Sequence, residues 1–71
     1  MPNSVYKVIE LVGSSDKSWE EAVNNAVKQA AKTIRDIRIC EVLELDTKID
    51  DDKIVAYRAK VKISFKYKDD D

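Results

Sequence analysis

The last segment of the chain alternates between apolar and polar residues for fourteen positions, from Ile54 to Tyr67. Successive side chains of a β-strand point to opposite faces, so this pattern predicts one long strand with an apolar face and a basic face. At about 3.3 Å per residue, such a strand is roughly 46 Å long. The apolar face would carry Val55, Tyr57, Ala59, Val61, Ile63, Phe65 and Tyr67. Any fold of this chain must cover a sheet of that length.

A single helix is predicted before this strand, from Trp19 to about residue 36. Apolar residues recur there at intervals of three and four, which places them on one stripe. Ser18 and Glu21 have the spacing of a capping box, in which the Ser18 hydroxyl accepts from the Glu21 amide and the Glu21 carboxylate accepts from the Ser18 amide. The stripe consists of Trp19, Ala22, Val23, Ala26, Val27, Ala30 and Ile34. A helix of about 18 residues is roughly 27 Å long, too short to cover the sheet.

Two more segments are rich in β-formers. Val5–Val12 predicts a strand that ends at Gly13, and Ile37–Ile49 predicts either one long strand or two pieces joined at a bulge. Asp50–Lys53 is a polar turn of hairpin length between the second strand and the third. The predicted fold class is therefore α+β, of βαββ order, with a three-stranded antiparallel sheet and one helix packed on it.

A chain of 71 residues is expected to need partner subunits for its stability. We treat residues 1–71 as one domain with a core of about 4–68, and Asp69–Asp71 as a disordered acidic tail. A domain of this size buries only about 60% of its unfolded surface. Cys40 is the only cysteine and histidine is absent, which excludes internal disulfides and the usual zinc ligand sets. Uncovered strand edges pair readily with other chains, so a closed homo-oligomer is expected.

The charge balance argues against several classes of partner. Charged residues make up 38% of the chain, yet the net charge is -1. Neither nucleic acid nor an anionic membrane would be attracted strongly to such a surface. The longest apolar stretches are only a few residues, and the first residues lack the apolar region of a secretory signal. We expect a cytoplasmic protein whose partners are copies of itself and a small molecule or ion.

Catalytic motifs are absent from the sequence. Without histidine or a Gly-rich loop, a nucleophilic triad, a dinucleotide fingerprint and a P-loop are all excluded, which favours a protein that is not an enzyme. Cys40 lies within a predicted strand, where a free cysteine more often packs as a small apolar residue than reacts. Trp19, in the first helical turn, is interpreted as a core or interface anchor rather than a ligand-stacking residue.

Carboxylates on the second strand are the best metal candidates. Glu41, Glu44 and Asp46 lie on this strand, which we expect to be central, and oligomer symmetry would bring copies of them together. Asp50–Asp52 lacks the spacing of an EF-hand loop and is interpreted as a solvated turn.

The other face of the last strand is basic. One interpretation is that its cations bind phosphate groups. The favoured interpretation is that they pair with Glu41 and Glu44 on the neighbouring strand. They are Arg58, Lys60, Lys62, Lys66 and Lys68.

Four stretches of the chain resemble the dodecin family. They are VYKVIELVGSS, SWEEAVNNAV, KTIRDIR followed by EV, and AYRAKVKISFKY, and together they span nearly all of residues 5–67. The resemblance implies a hollow homododecamer with 23 symmetry. It also implies a non-enzymatic role in binding, storing or sequestering small ligands, chiefly flavins such as riboflavin and FMN.

Two positions depart from the flavin-binding members of that family. Those members stack a tryptophan of the second strand on the flavin and bond its polar edge with a glutamine of the third strand. The corresponding residues here are Ile39 and Arg58. Isoleucine offers no aromatic platform, and arginine donates hydrogen bonds without accepting any, although it can pair with phosphate. The chain thus resembles a branch associated with calcium. Three alternatives for the ligand stay open: calcium or another divalent cation, a flavin bound in a modified mode, and no ligand at all in a structural shell.

Overall fold

The chain forms three strands and one helix in the predicted βαββ order. The computed structural model describes residues 4–69, with side chains described as far as residue 67. The elements are β1 (Ser4–Ser15), α1 (Trp19–Ala31), β2 (Ile37–Asp50) and β3 (Lys53–Asp69). All strand pairs are antiparallel, and the order across the sheet is β1-β3-β2. The predicted fold class is confirmed.

The last strand, not the second, is central. β3 pairs with β1 on one side and with β2 on the other, so the expectation of a central second strand was wrong. The β2–β3 hairpin places β3 beside β2, and β1 pairs with the other edge of β3. The helix α1 packs on one face of β1 and β3. Three helix-facing residues of β3 are completely buried, Ala59, Val61 and Ile63. The longest alternating pattern therefore belongs to the strand with a neighbour on each side.

The β2–β3 hairpin turns tightly between Asp50 and Lys53. Asp51 and Asp52 have φ values of 52° and 63°, the left-handed conformation that both central residues of a type I′ turn adopt. β2 is one continuous strand, the first of the two predicted alternatives. Its register against β3 shifts at three places, between Ile37 and Ile39, Val42 and Glu44, and Lys48 and Ile49. β3 continues to Asp69, which pairs with Ser4, so the predicted tail starts within a strand. Asp70 and Asp71 lie outside the described residues.

The helix is shorter than its apolar stripe. It has 13 residues and ends at Ala31, whereas the periodicity predicted about 18. The Ala30 carbonyl accepts from the Thr33 and Ile34 amides, which closes the last turn, and Asp36 adopts a left-handed φ of 62° that redirects the chain into β2. Ile34 continues the stripe because it still packs against the core, although it is no longer helical.

The start of the helix differs in one bond from the predicted capping box. The Ser18 hydroxyl accepts from the Glu21 amide at 3.0 Å, as predicted. The Glu21 carboxylate, however, accepts from the Ser15 hydroxyl instead of the Ser18 amide. The buried Ser15 oxygen itself accepts from the amides of Lys17 and Ser18, at 2.9 and 3.3 Å. β1 extends to Ser15, three residues beyond the prediction, and this extension brings its hydroxyl to the cap.

Gly13 lies inside β1 and does not end it. A Cβ atom at this position would lie 2.0 Å from the Ala22 carbonyl oxygen and 3.0 Å from the Ala26 Cβ. Only glycine lets the strand approach the helix this closely. The small residues of both elements thus set the distance between α1 and the sheet.

Much apolar surface stays uncovered because α1 packs on β1 and β3 and barely reaches β2. Val42 and Leu45 of β2 lie on the helix side, yet they are 46% and 51% exposed. Within residues 4–67, thirteen large apolar side chains are at least 36% exposed. The radius of gyration is 14.6 Å, against about 11 Å for a compact domain of this length, and the longest dimension is 53 Å. The chain is an elongated, incompletely covered sheet.

Among the described residues, no helix has the length and apolar character needed to cross a membrane.

Replacing Gly13 with alanine tests the close approach of strand and helix. We expect Gly13→Ala to lower the free energy of unfolding by about 1–3 kcal/mol, because the new methyl group overlaps the helix backbone. Ser14→Ala, at the exposed neighbouring position, should change it by less than about 0.5 kcal/mol. Urea unfolding at one fixed protein concentration measures both variants. An unfolding free energy of Gly13→Ala equal to that of the wild type would contradict the packing described here.

Candidate functional site

The sheet face opposite α1, called the open face here, carries the polar residues that the sequence singled out. Strand alternation places the residues that flank Ala59, Val61 and Ile63 on this face. A basic column therefore runs along the middle of the face, in the central strand. It comprises Arg58, Lys60, Lys62 and Lys66.

Carboxylates flank this column on both sides. The register sets Asp46, Glu44 and Glu41 of β2 opposite Arg58, Lys60 and Lys62. Glu10 of β1 lies opposite Lys62, and its Oε1 is 3.9 Å from Lys60 Nζ. Arg58 and Lys60 do pair with carboxylates of the neighbouring strands, but their partners are Asp46 and Glu10 and not the predicted Glu41 and Glu44. The open face is thus locally balanced in charge.

Arg58 and Asp46 form the best-defined polar pair on the open face. Arg58 Nε donates to Asp46 Oδ1 at 2.7 Å, and its Nη2 donates to Asp46 Oδ2 at 2.8 Å. These hydrogen bonds, with the attraction between the charges, lower the pKa of Asp46 and raise that of Arg58. Both side chains are about half exposed, so the pair adds little to stability. Its parallel, two-bond geometry nevertheless fixes where the guanidinium points.

Trp19 connects this pair to the helix. The indole Nε1 donates to the backbone carbonyl of Asp46 at 2.9 Å. Its ring meets Tyr57, the residue before Arg58, edge to face, with the ring centroids 5.1 Å apart. Trp19, Asp46, Arg58 and Tyr57 therefore form a closed ring of contacts from the helix start to the open face. The anchoring interpretation of Trp19 is supported by these contacts.

The three candidate metal ligands do not meet within one chain. Glu41 and Asp46 lie opposite Lys62 and Arg58, four residues apart on β3, which is roughly 13 Å. Calcium binds oxygens at about 2.3–2.6 Å, so one ion cannot contact both. No cluster of three or more potential ligands occurs among residues 4–67. Asp46 is also engaged by Arg58, so a metal site on Glu41 and Glu44 would need ligands from other copies.

The two flavin-position residues share the open face but are far apart. Ile39 lies opposite Ser64, six residues along β3 from Arg58, so roughly 20 Å separates them. Ile39 is 57% exposed, and Val8 of β1 lies on the other side of Ser64. A row of Val8, Ser64 and Ile39 thus crosses the sheet. One small ring system contacts both Ile39 and Arg58 only if different copies supply them.

Cys40 is partly buried, whereas the residues of the hairpin turn are exposed. Cys40 pairs with Ile63 on the helix side and packs against the core, and its burial raises the pKa of the thiol, which disfavours the reactive thiolate. Asp50–Asp52 are exposed and belong to no group of potential metal ligands within the described part of the chain.

Two contacts of the open face were missed by reasoning from the sequence. Glu10 was not paired with the basic column, although its place in the alternation of β1 put it on the same face. The Trp19 bond to Asp46 gave no sequence signal, because its acceptor is a backbone carbonyl 27 residues away.

The fold and the open face together place the chain in the class of small α+β proteins with βαββ order. A family model described as dodecin matches residues 5–68. The chain belongs to the dodecin family.

Curated and solved relatives agree with this assignment. The chain is 44% identical to calcium dodecin of Mycobacterium tuberculosis over 89% of each protein, and 34% identical to dodecin of Thermus thermophilus over 87% of this chain and 90% of that one. The structure of dodecin from Streptomyces coelicolor matches with a TM-score of 0.88 at 32% identity, over 93% of this chain and 94% of that one. The crystal structure of the Mycobacterium tuberculosis protein, described as calcium-chelating, matches with a TM-score of 0.82 over 92% and 93% of the two chains.

Replacing Trp19 with phenylalanine tests the bond between the helix and β2. Trp19→Phe keeps a ring beside Tyr57 but removes the indole donor, so the free energy of unfolding should fall by about 0.5–1.5 kcal/mol. Tyr67→Phe, at a site that is 66% exposed, is the control and should stay within about 0.5 kcal/mol of the wild type. Thermal unfolding at matched concentration compares them. Equal stability of the two variants would show that the indole bond contributes nothing.

Proposed function

We propose that the chain is a subunit of a hollow homododecamer that binds and stores a small ligand in the cytoplasm without transforming it. The observation that carries this proposal is the uncovered apolar surface. Thirteen large apolar side chains are exposed in a chain whose helix covers only part of a 53 Å sheet. Large exposed apolar patches are rare on monomeric proteins, whereas subunits of closed assemblies bury them against copies. The dodecin family membership supports the same arrangement.

The ligand site in this proposal is the open face, shared between copies. Ile39 and Arg58 lie too far apart to act together in one subunit, and the candidate metal ligands are likewise spread along β2. Two or more subunits that meet through this face would bring them together. Arg58 and Asp46 of this face are already paired with each other. The arrangement suits reversible binding rather than catalysis.

Calcium is the proposed ligand. Ile39 lacks an aromatic platform, which weakens the stacking on which flavin binding in the family depends. Glu41 and Glu44 supply exposed carboxylate oxygens, the donors that calcium prefers. A relative 44% identical to this chain is named calcium dodecin. In this proposal Glu41 and Glu44 are the main protein ligands, and Asp46 contributes only where it leaves Arg58.

A flavin is the second candidate, and the row of Val8, Ser64 and Ile39 favours it. The two exposed apolar side chains flank a hydroxyl in one row across the sheet, which suits a planar ring with polar edges. FMN or riboflavin would then lie on aliphatic carbons instead of an indole. An assembled shell that binds neither calcium nor flavin would leave only a structural or interaction role.

The mass and calcium content of the purified protein test the leading proposal. Twelve chains of 8.1 kDa give about 97 kDa, which light scattering coupled to size exclusion should measure. The assembled protein, stripped with a chelator, should take up calcium in a titration calorimeter. Glu41→Gln/Glu44→Gln should weaken this uptake by about tenfold or more, because the carboxylate charges set calcium affinity.

Glu20→Gln serves as the charge-matched control, since Glu20 is exposed on the helix, which lies on the other side of the sheet from the open face. It should bind calcium like the wild type. A monomeric mass would contradict the shell, and an assembled wild type that ignores calcium would contradict the ligand.

Restoring the aromatic platform tests the role of position 39. Ile39→Trp should gain quenching of FMN fluorescence and bind FMN about 2- to 150-fold more tightly, from one or two stacking contacts of about 0.5–1.5 kcal/mol each. Ile49→Trp is the matched control, because Ile49 is equally exposed at 57% near the hairpin turn. Equal FMN affinity in the two variants would show that position 39 does not face the flavin.

A further inference from the structure

The guanidinium of Arg58 already holds an anion of the protein itself. Asp46 meets it with two parallel hydrogen bonds of 2.7 and 2.8 Å, the geometry that arginine uses for an external carboxylate or phosphate. The two donors, Nε and Nη2, are those on the edge of the guanidinium that such groups bind side by side. An incoming anion must therefore displace Asp46 before it gains the same contacts.

Asp46 is positioned by a hydrogen bond to its backbone carbonyl. Trp19 Nε1 bonds the Asp46 carbonyl at 2.9 Å, and the Trp19 ring rests edge to face on Tyr57, next to Arg58. Both members of the pair are thereby connected to the same indole. The hydrogen bond from Trp19 and the pairing of β2 with β3 both hold the Asp46 backbone opposite Arg58, which keeps its carboxylate within reach of the guanidinium.

We propose that Asp46 is a specificity-determining residue that occupies Arg58 and so makes the open face discriminate against ligands carrying a phosphate group. This deepens the proposed function, since it rests on the open face being the ligand face. Phosphate would lose the Arg58 donors to the carboxylate and would also lie beside its negative charge. Ligands without a phosphate, and cations, escape both penalties.

The neighbouring charges reinforce this discrimination. The next cation along β3, Lys60, lies 3.9 Å from Glu10 and opposite Glu44, and Lys62 lies between Glu10 and Glu41 in the register. Each of these lysines therefore faces a carboxylate, as Arg58 does. Because the pair is half exposed, its effect is moderate, and removal of Asp46 should raise phosphate affinity on the order of tenfold.

Titration with inorganic phosphate at low ionic strength tests the proposal. Asp46→Asn keeps the size of the side chain, removes its charge, and should bind phosphate about tenfold more tightly than the wild type by calorimetry. Asp46→Ser provides a second, smaller replacement with the same expected direction. Adding Arg58→Gln to Asp46→Asn should abolish the gain, and Glu20→Gln, which removes one negative charge from the helix, should show no gain.

Three results would overturn the proposal. They are a wild type that binds phosphate as tightly as both Asp46 variants, a gain that survives the loss of Arg58, and an equal gain in Glu20→Gln. Light scattering on the same samples separates this failure from failure of the proposed function. Assembled wild type that binds calcium while Asp46 has no effect on phosphate affinity contradicts only the selectivity, whereas a monomeric wild type contradicts the shell itself.

Discussion

The close contact between Gly13 and the Ala22–Ala26 segment of the helix is the constraint on which the rest of the structure depends. It brings α1 against β1 and the middle of β3, where the completely buried residues lie. A helix of 13 residues, about 20 Å long, then leaves both ends of the sheet and nearly all of β2 without cover. The exposed apolar side chains are the direct result. They give a chain of this shape a physical reason to associate with copies of itself.

The open face follows from the same arrangement. With the helix on one side, the polar half of each alternating strand faces the other way, and antiparallel pairing sets cations and carboxylates side by side. Trp19 then reaches from the helix to the Asp46 backbone, so the orientation of Arg58 depends on the packing of α1. The contacts of Arg58 on one face are in this way connected to the helix on the other.

Local sequence patterns predicted the strands, the helix and the turn well, but they predicted poorly which elements contact one another. The alternation of β3, the Ser18 cap and the acidic hairpin turn are local signals, and each was recovered from the sequence. The helix end was misplaced because Ile34 still packs on the core and so preserves the apolar period beyond the last helical turn. The central position of β3 and the bond between Ser15 and Glu21 depend on three-dimensional contacts. For the site, composition indicated which residues are charged, but only the register showed that Asp46 holds Arg58.

Dilution of the protein tests most directly whether association completes this fold. The molecular mass and the far-ultraviolet circular dichroism should be followed together as the concentration falls. The account predicts that dissociation and loss of secondary structure coincide, and that the unfolding midpoint falls with dilution. A separated 8.1 kDa chain that keeps its β signal and unfolds cooperatively at the same midpoint would contradict it.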